Sequence, residues 1–253
     1  MNDEFYIGWE GSTAPGIGRF VRAVVALLFL VAIGLALAFA AAQHSIGVSV
    51  FEWSTVKKFS GVLKIDPYPH LLVPRPGATG ARNNFSTYYL VAPFKFGLDR
   101  GKLSALDGKT VSLQGTLIYR GNQTMVEALP DSIKAMDKQF FPLPGTETIE
   151  LGRQTLTGEI VDGKCFLGVM NPGQLLPHRA CAIRCISGGI PPVLLVRQTN
   201  GAAIYFLLVA ADGKPVNQQV LDYVAEPVQI TGEVERQGEL LILRADPATY
   251  LRL

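Results

Sequence analysis

The sequence predicts a mainly β fold class, in which one N-terminal transmembrane helix precedes two small β-barrels in tandem. Three observations lead to this prediction. Residues 23–42 form an uncharged apolar segment, and the chain after it repeats itself once. The repeated part consists of short apolar or alternating runs between turn residues. With 26 Gly and 16 Pro in 253 residues, the composition favours short strands over helical bundles.

The apolar segment 23–42 is long enough to cross a hydrocarbon core of about 30 Å as a helix. A cleaved signal peptide is the competing interpretation, because small residues end the segment. The long, partly acidic stretch before it and its own length favour an uncleaved anchor. Arg19 and Arg22 precede the segment, and the next basic residue is Lys57. The positive-inside rule therefore predicts a single-pass protein with a cytoplasmic tail at 1–22 and its domains outside the cytoplasm after residue 42.

Three blocks of the external part recur at an offset of 117 residues. They begin at Tyr88 and Tyr205, at Val111 and Val228, and at Ala128 and Ala245. Upstream, residues 59–63 resemble residues 156–160 at an offset of 97. This pattern indicates two copies of one domain, the second with about 20 extra residues near its start. We place a linker at 43–56, the first domain at 57–150 and the second at 151–253.

Each copy contains about five short strands, with a glycine in the middle of one of them, which is typical of a small closed barrel. The clearest strands are the alternating runs 111–117 and 228–234 and the apolar runs 205–209 and 240–243. Residues 97–105 and 216–223 are expected to hold short helical connections. This order of elements resembles the OB-fold over residues 57–253, so we expect two OB-fold-like domains.

The extra segment of the second copy, which we place at 162–192, holds all three cysteines and one of the three histidines. If the residues after Pro177 form a short helix, His178, Cys181 and Cys185 share one face of it, with Cys165 upstream. A scaffold copied twice, with such side chains in one insertion, is typical of a site added to a fold.

Three interpretations of this cluster stay open on sequence grounds. Outside the cytoplasm, Cys165 could form a disulfide with Cys181 or Cys185, which would leave one cysteine free. The side chains of Cys165, His178, Cys181 and Cys185 could instead hold a metal ion, either zinc or, because thiolates are soft ligands, Cu(I). In the third interpretation Cys181 is a reactive thiol, because the first turn of a helix and His178 both favour a thiolate.

The motif made by Lys164, Cys165, His178, Cys181, Cys185 and residues 186–192 resembles one in bacterial single-span membrane proteins with OB-fold-like external domains, whose activity is uncharacterised. We expect a non-enzymatic, membrane-anchored periplasmic accessory or assembly subunit of a membrane protein complex. It would meet other subunits through the transmembrane helix and the aromatic residues 5–9. The alternative is a thiol- or metal-based redox protein or metallochaperone that uses Cys181 and Cys185. A net charge of +2 with no run of like charges argues against a nucleic-acid partner.

Overall fold

A computed structural model describes residues 11, 13–44, 48–75, 85–137, 148–198 and 202–253. The predicted aromatic contact residues 5–9 lie outside these ranges. The chain divides into two compact units, Met1–Gly47 and Val48–Leu253. The first contains a long helix and the second contains both barrels. The predicted fold class, mainly β with an N-terminal apolar helix and two OB-fold-like barrels, is confirmed.

Helix α1 spans Pro15–His44, and its segment Pro15–Ala42 is long and apolar enough to cross a membrane. It begins eight residues before the predicted segment 23–42, so it includes part of the predicted tail 1–22. Proline suits the first helical position because its φ is already helical. Arg19 and Arg22 donate from Nε to the Pro15 and Gly18 carbonyls at 3.3 and 3.1 Å. Both guanidinium groups therefore point back toward the N-terminus, away from the apolar segment.

The first barrel closes through five strands. Their bounds are β1 Ser49–Lys64, β2 His70–Pro74, β3 Phe85–Val91, β4 Thr110–Arg120 and β5 Gln123–Ala128, with helix α2 at Arg100–Leu103 and an edge strand β6 at Lys134–Ala135. The strand order is β1-β2-β3-β5-β4, and β4 pairs back onto β1. The pair β3–β5 is parallel and the other pairs are antiparallel, which is the OB-fold arrangement. Because β1 starts at Ser49, the predicted linker 43–56 is wrong over its second half.

The second barrel repeats this topology after the inserted segment. Its elements are β7 Thr148–Asp162, helix α3 Arg179–Ser187, β8 Pro192–Arg197, β9 Ala203–Val209, β10 Pro227–Gln237, β11 Leu240–Arg244 and the edge strand β12 Leu251–Arg252. Strand β10 closes the barrel onto β7, and β9–β11 is the parallel pair. Strand β7 begins three residues before the predicted domain boundary at 151. The insert lies between the end of β7 at Asp162 and the start of β8 at Pro192, as the bounds 162–192 predict.

The predicted offset of 117 residues is correct for β4 against β10 and for β5 against β11, but it is wrong by one residue for β3 against β9. Tyr89 pairs with Met125 in the first barrel, and Leu207 pairs with Ile242, the counterpart of Met125, in the second. Leu207 is therefore the counterpart of Tyr89, at an offset of 118. Both strands end in apolar runs that are buried on both faces, so they lack the alternation that would fix their register in the sequence.

The two barrels pack on each other through their parallel strand pairs, and the insert fills the space between them. The buried cluster at this interface takes residues from three sources: Tyr89, Val91, Ile118 and Met125 from the first barrel; Leu207, Val209, Leu240 and Ile242 from the second; and Cys165, Leu167, Cys185 and Ile190 from the insert. Each barrel also has its own interior core. Cys165 and Cys185 of the predicted Cys/His segment are therefore part of the core that joins the barrels.

Candidate functional site

The insert builds its site from two short helical segments that face each other. Cys165 opens a π-helical turn, Cys165–Val169, directly after β7. His178 ends a 3-10 turn, Leu176–His178, and immediately precedes α3. Cys181 lies in the first turn of α3 and Cys185 lies one turn later. The predicted helix is thus present from Arg179, and its two cysteines face Cys165.

All three cysteines are free thiols that meet around Cys165. The Cys165 Sγ lies 3.9 Å from the Cys181 Sγ and 3.9 Å from the Cys185 Sγ. Cys165 and Cys185 are 4% and 1% exposed, whereas Cys181 is only half-buried. Cys165 is therefore in contact with both other thiols, and Cys181 is the member of the cluster that solvent can reach.

A lysine of the first barrel completes the cluster. The Lys95 Nζ donates to the Cys181 Sγ at 2.7 Å and lies 3.8 Å from the Cys185 Sγ. The hydrogen bond to Cys181 raises the pKa of Lys95, which keeps this side chain an ammonium. A cation this close to sulfur favours the thiolate form. Sequence reasoning missed Lys95, because a lone lysine in a Pro/Gly-containing loop is typical of solvated surface.

Lys95 is held in place by contacts on both sides of its loop, residues 92–97, which we call the Lys95 loop. The Lys164 Nζ, from the insert, donates to the carbonyls of Ala92 and Phe94 at 3.0 and 2.6 Å. It also forms an ion pair with Glu127 of β5. Lys164 is 1% exposed, so it holds the Lys95 loop in place rather than facing solvent.

The other side of the Lys95 loop rests on the C-terminal end of α3. The Gly97 N–H donates to the Gly188 carbonyl at 2.9 Å. A Cβ at Gly188 would lie 2.1 Å from the Lys95 carbonyl oxygen, and a Cβ at Gly97 would lie 2.3 Å from that of Gly189. Only glycine permits this approach of two backbones. Because Gly188 and Gly189 have no side chains, the Lys95 loop of the first barrel can approach α3 closely enough for Lys95 to contact the thiols.

A buried carboxylate orients the histidine of the cluster. The Asp162 Oδ2 lies 3.0 Å from the His178 Nε2, and its Oδ1 accepts from the Cys165 N–H at 2.7 Å. Both side chains are almost fully buried. Asp162 therefore fixes the histidine ring and the start of the π-helical turn together.

Two overlapping groups of these side chains are close enough to hold a metal ion. Ligand atoms of Cys165, His178 and Cys181 lie within 4.8 Å of one another, and so do those of Asp162, Cys165 and Cys185. The structure thus brings together three of the four predicted ligands in one group. It places Cys185 in the other group, with Asp162, which was not among the predicted ligands.

Cys165 and Cys185 differ in the direction in which their pKa values are shifted. The hydrogen bond with Cys185, and then burial, raise the pKa of Cys165 well above its usual range. The same hydrogen bond, with Cys165 as the donor, lowers the pKa of Cys185 against the effect of burial. Of this hydrogen-bonded pair, Cys165 is consequently the thiol that keeps its proton.

Comparison of the chain with protein-family models, with curated proteins and with solved structures found no match.

Proposed function

We propose that this protein is a membrane-anchored thiol–disulfide exchange protein that serves the assembly of membrane proteins outside the cytoplasm. One observation carries the proposal: the half-buried Cys181 has an ammonium group 2.7 Å from its sulfur on one side and a second thiol, Cys165, 3.9 Å away on the other. A stabilised thiolate that solvent can reach, with a buried thiol behind it, is the arrangement that exchange requires.

In the proposed reaction the Cys181 thiolate attacks one sulfur of a partner's disulfide, so a mixed disulfide forms and the partner's other sulfur leaves as a thiolate. Cys165 attacks the Cys181 sulfur, and its proton is taken up by the thiolate that the partner released in the first step. The Cys165–Cys181 disulfide forms, and the partner's second sulfur leaves as a thiolate. The partner gains two electrons and this protein loses two. The same steps in reverse would oxidise a partner dithiol.

The location of the chain supports this role. Arg19 and Arg22 at the start of α1 favour a cytoplasmic N-terminus and barrels on the periplasmic side of a bacterial inner membrane. Disulfides form and persist in that compartment. Partners would be membrane protein subunits, reached through α1 and residues 5–9, and the low net charge gives no reason to expect nucleic acid.

A metal site is the second candidate function, and the distances among Cys165, His178 and Cys181 favour it. A carboxylate that holds the far side of a ligating histidine is a common feature of such sites, and Asp162 occupies this position. Zinc and Cu(I) both suit two thiolates and an imidazole. In this case the protein would be an accessory subunit with a structural metal or a metallochaperone.

The first candidate function is tested with the full chain in detergent. A Cys185→Ser variant is used, because Cys165 and Cys181 are then the only cysteines that can form an intramolecular disulfide. In a series of glutathione buffers we expect a reversible Cys165–Cys181 disulfide, mapped by peptide mass spectrometry after alkylation. A variant with both Cys165→Ser and Cys185→Ser should accumulate glutathione on Cys181, because no second thiol is left to resolve the adduct.

The same samples distinguish the two candidates. Exchange predicts fully titratable thiols and no stoichiometric metal in the reduced protein. One zinc or copper per chain that protects Cys165 and Cys181 from alkylation, together with two free thiols in Cys185→Ser at every potential, would contradict exchange and support the metal site.

A further inference from the structure

We propose that the three thiols form a two-position disulfide switch, in which a disulfide first made between Cys165 and Cys181 passes to Cys165 and Cys185. The inference rests on the proposed exchange function and extends it to the third thiol. An exchange protein needs only two cysteines, and this cluster has a third one in contact with the resolving thiol.

The position of Cys165 makes both pairs equally available. Its Sγ lies 3.9 Å from each of the other two sulfurs. A disulfide requires a separation of about 2.05 Å, so either pair must close by about 2 Å. The two α3 cysteines are one helical turn apart on the same face of the helix, so both sulfurs face Cys165.

The transfer step is an exchange within the cluster and needs no external oxidant. Cys185, as the thiolate, attacks the Cys165 sulfur of the Cys165–Cys181 disulfide. The Cys165–Cys185 bond forms, the Cys165–Cys181 bond breaks, and Cys181 leaves as a thiolate that takes up the proton Cys185 released. One disulfide is lost and one is gained, so the oxidation state of the protein does not change.

Lys95 favours transfer in this direction. Its ammonium is 2.7 Å from the Cys181 Sγ but 3.8 Å from the Cys185 Sγ. Lys95 is therefore nearer to Cys181, the leaving sulfur, than to Cys185, the attacking one. A leaving thiolate that is stabilised leaves faster.

The two disulfides differ in burial, and so in whether an external thiol can reach them. The first disulfide includes the half-buried Cys181, whereas both members of the second are at most 4% exposed. An external thiol can attack the first pair and cannot reach the second. Transfer thus stores the disulfide inside the inter-barrel core and returns Cys181 to the surface as a free thiol.

Time-resolved disulfide mapping of the full chain in detergent tests the switch. Reduced protein is mixed with oxidised glutathione, quenched with acid at intervals, alkylated and mapped. We expect Cys165–Cys181 to appear first and then decline as Cys165–Cys185 rises. Cys185→Ser and Cys185→Ala should stop at the first pair. Lys95→Met should slow the transfer about tenfold, and Lys95→Arg should slow it less. Lys102→Met, on the same barrel but away from the thiols, should not.

Two results would overturn the switch. One is a wild-type chain that keeps Cys165–Cys181 as its final pair. The other is a Cys181→Ser chain that forms Cys165–Cys185 as fast as the wild type does, since the pair would then not arise by transfer. Failure of exchange itself has a different signature, the absence of any Cys165–Cys181 pair in Cys185→Ser.

Discussion

Lys164 shows how much of the site depends on single buried charges. A buried ammonium is costly unless its donors are satisfied. Here the Lys164 Nζ has two carbonyls of the Lys95 loop and the Glu127 carboxylate as partners. Its place in the sequence, beside Cys165 in a glycine-containing turn, gives no sign that it is buried. Its burial follows from the first barrel closing over it, which is a property of the tertiary fold.

Replacing Lys164 should therefore damage both stability and the site. In Lys164→Met we expect a loss of roughly 3 kcal/mol in the free energy of unfolding, because Glu127 and two carbonyls lose their partner. Alkylation of Cys181 should also slow, because the Lys95 loop is no longer held by the hydrogen bonds from Lys164. Urea unfolding and alkylation rates measure the two effects, with the exposed Lys102→Met as control. Equal effects in both variants would mean that Lys164 does not fasten the loop.

At the level of elements, strands were predictable wherever alternation or turn residues marked them, and less so elsewhere. The strands β4, β10 and β11 and the extent of the insert were predicted. The linker predicted at 43–56 covers the first half of β1, where a bulge between Phe51 and Val56, with Ser54 at φ 66°, interrupts the alternation. A bulged residue has no partner in the ladder, so the period of two is lost locally.

The end of α3 is the element on which the Lys95 loop rests, and it should tolerate no side chain at Gly188. In Gly188→Ala the new Cβ would meet the Lys95 carbonyl, so the Lys95 loop must shift. We expect a lower thermal unfolding midpoint and slower alkylation of Cys181. The matched control is Ser187→Ala, whose hydroxyl bonds only within α3. If the two variants behave alike, the contact between the loop and α3 is not needed.

At the scale of the whole molecule, the candidate site belongs to both barrels. In the sequence, Cys165, His178, Cys181 and Cys185 lie in one short insert, and the last three are predicted to share one helical face, which is why a common site could be proposed. The sequence could not predict Lys95, which is 86 residues from Cys181 and reaches it only because the barrels pack together. Local patterns carry no information about such a contact. Asp162 was also missed, because a carboxylate at the end of a strand is typical of a turn.

The rate at which each cysteine is alkylated in the reduced full chain tests the central claim most directly. The account predicts that Cys181 reacts first, and that Lys95→Met slows it about tenfold while Lys95→Arg preserves much of the rate. Cys165 and Cys185 should react slowly in all three proteins because they are buried. A Cys181 rate that does not change in Lys95→Met, or a wild-type chain in which Cys185 reacts before Cys181, would contradict it.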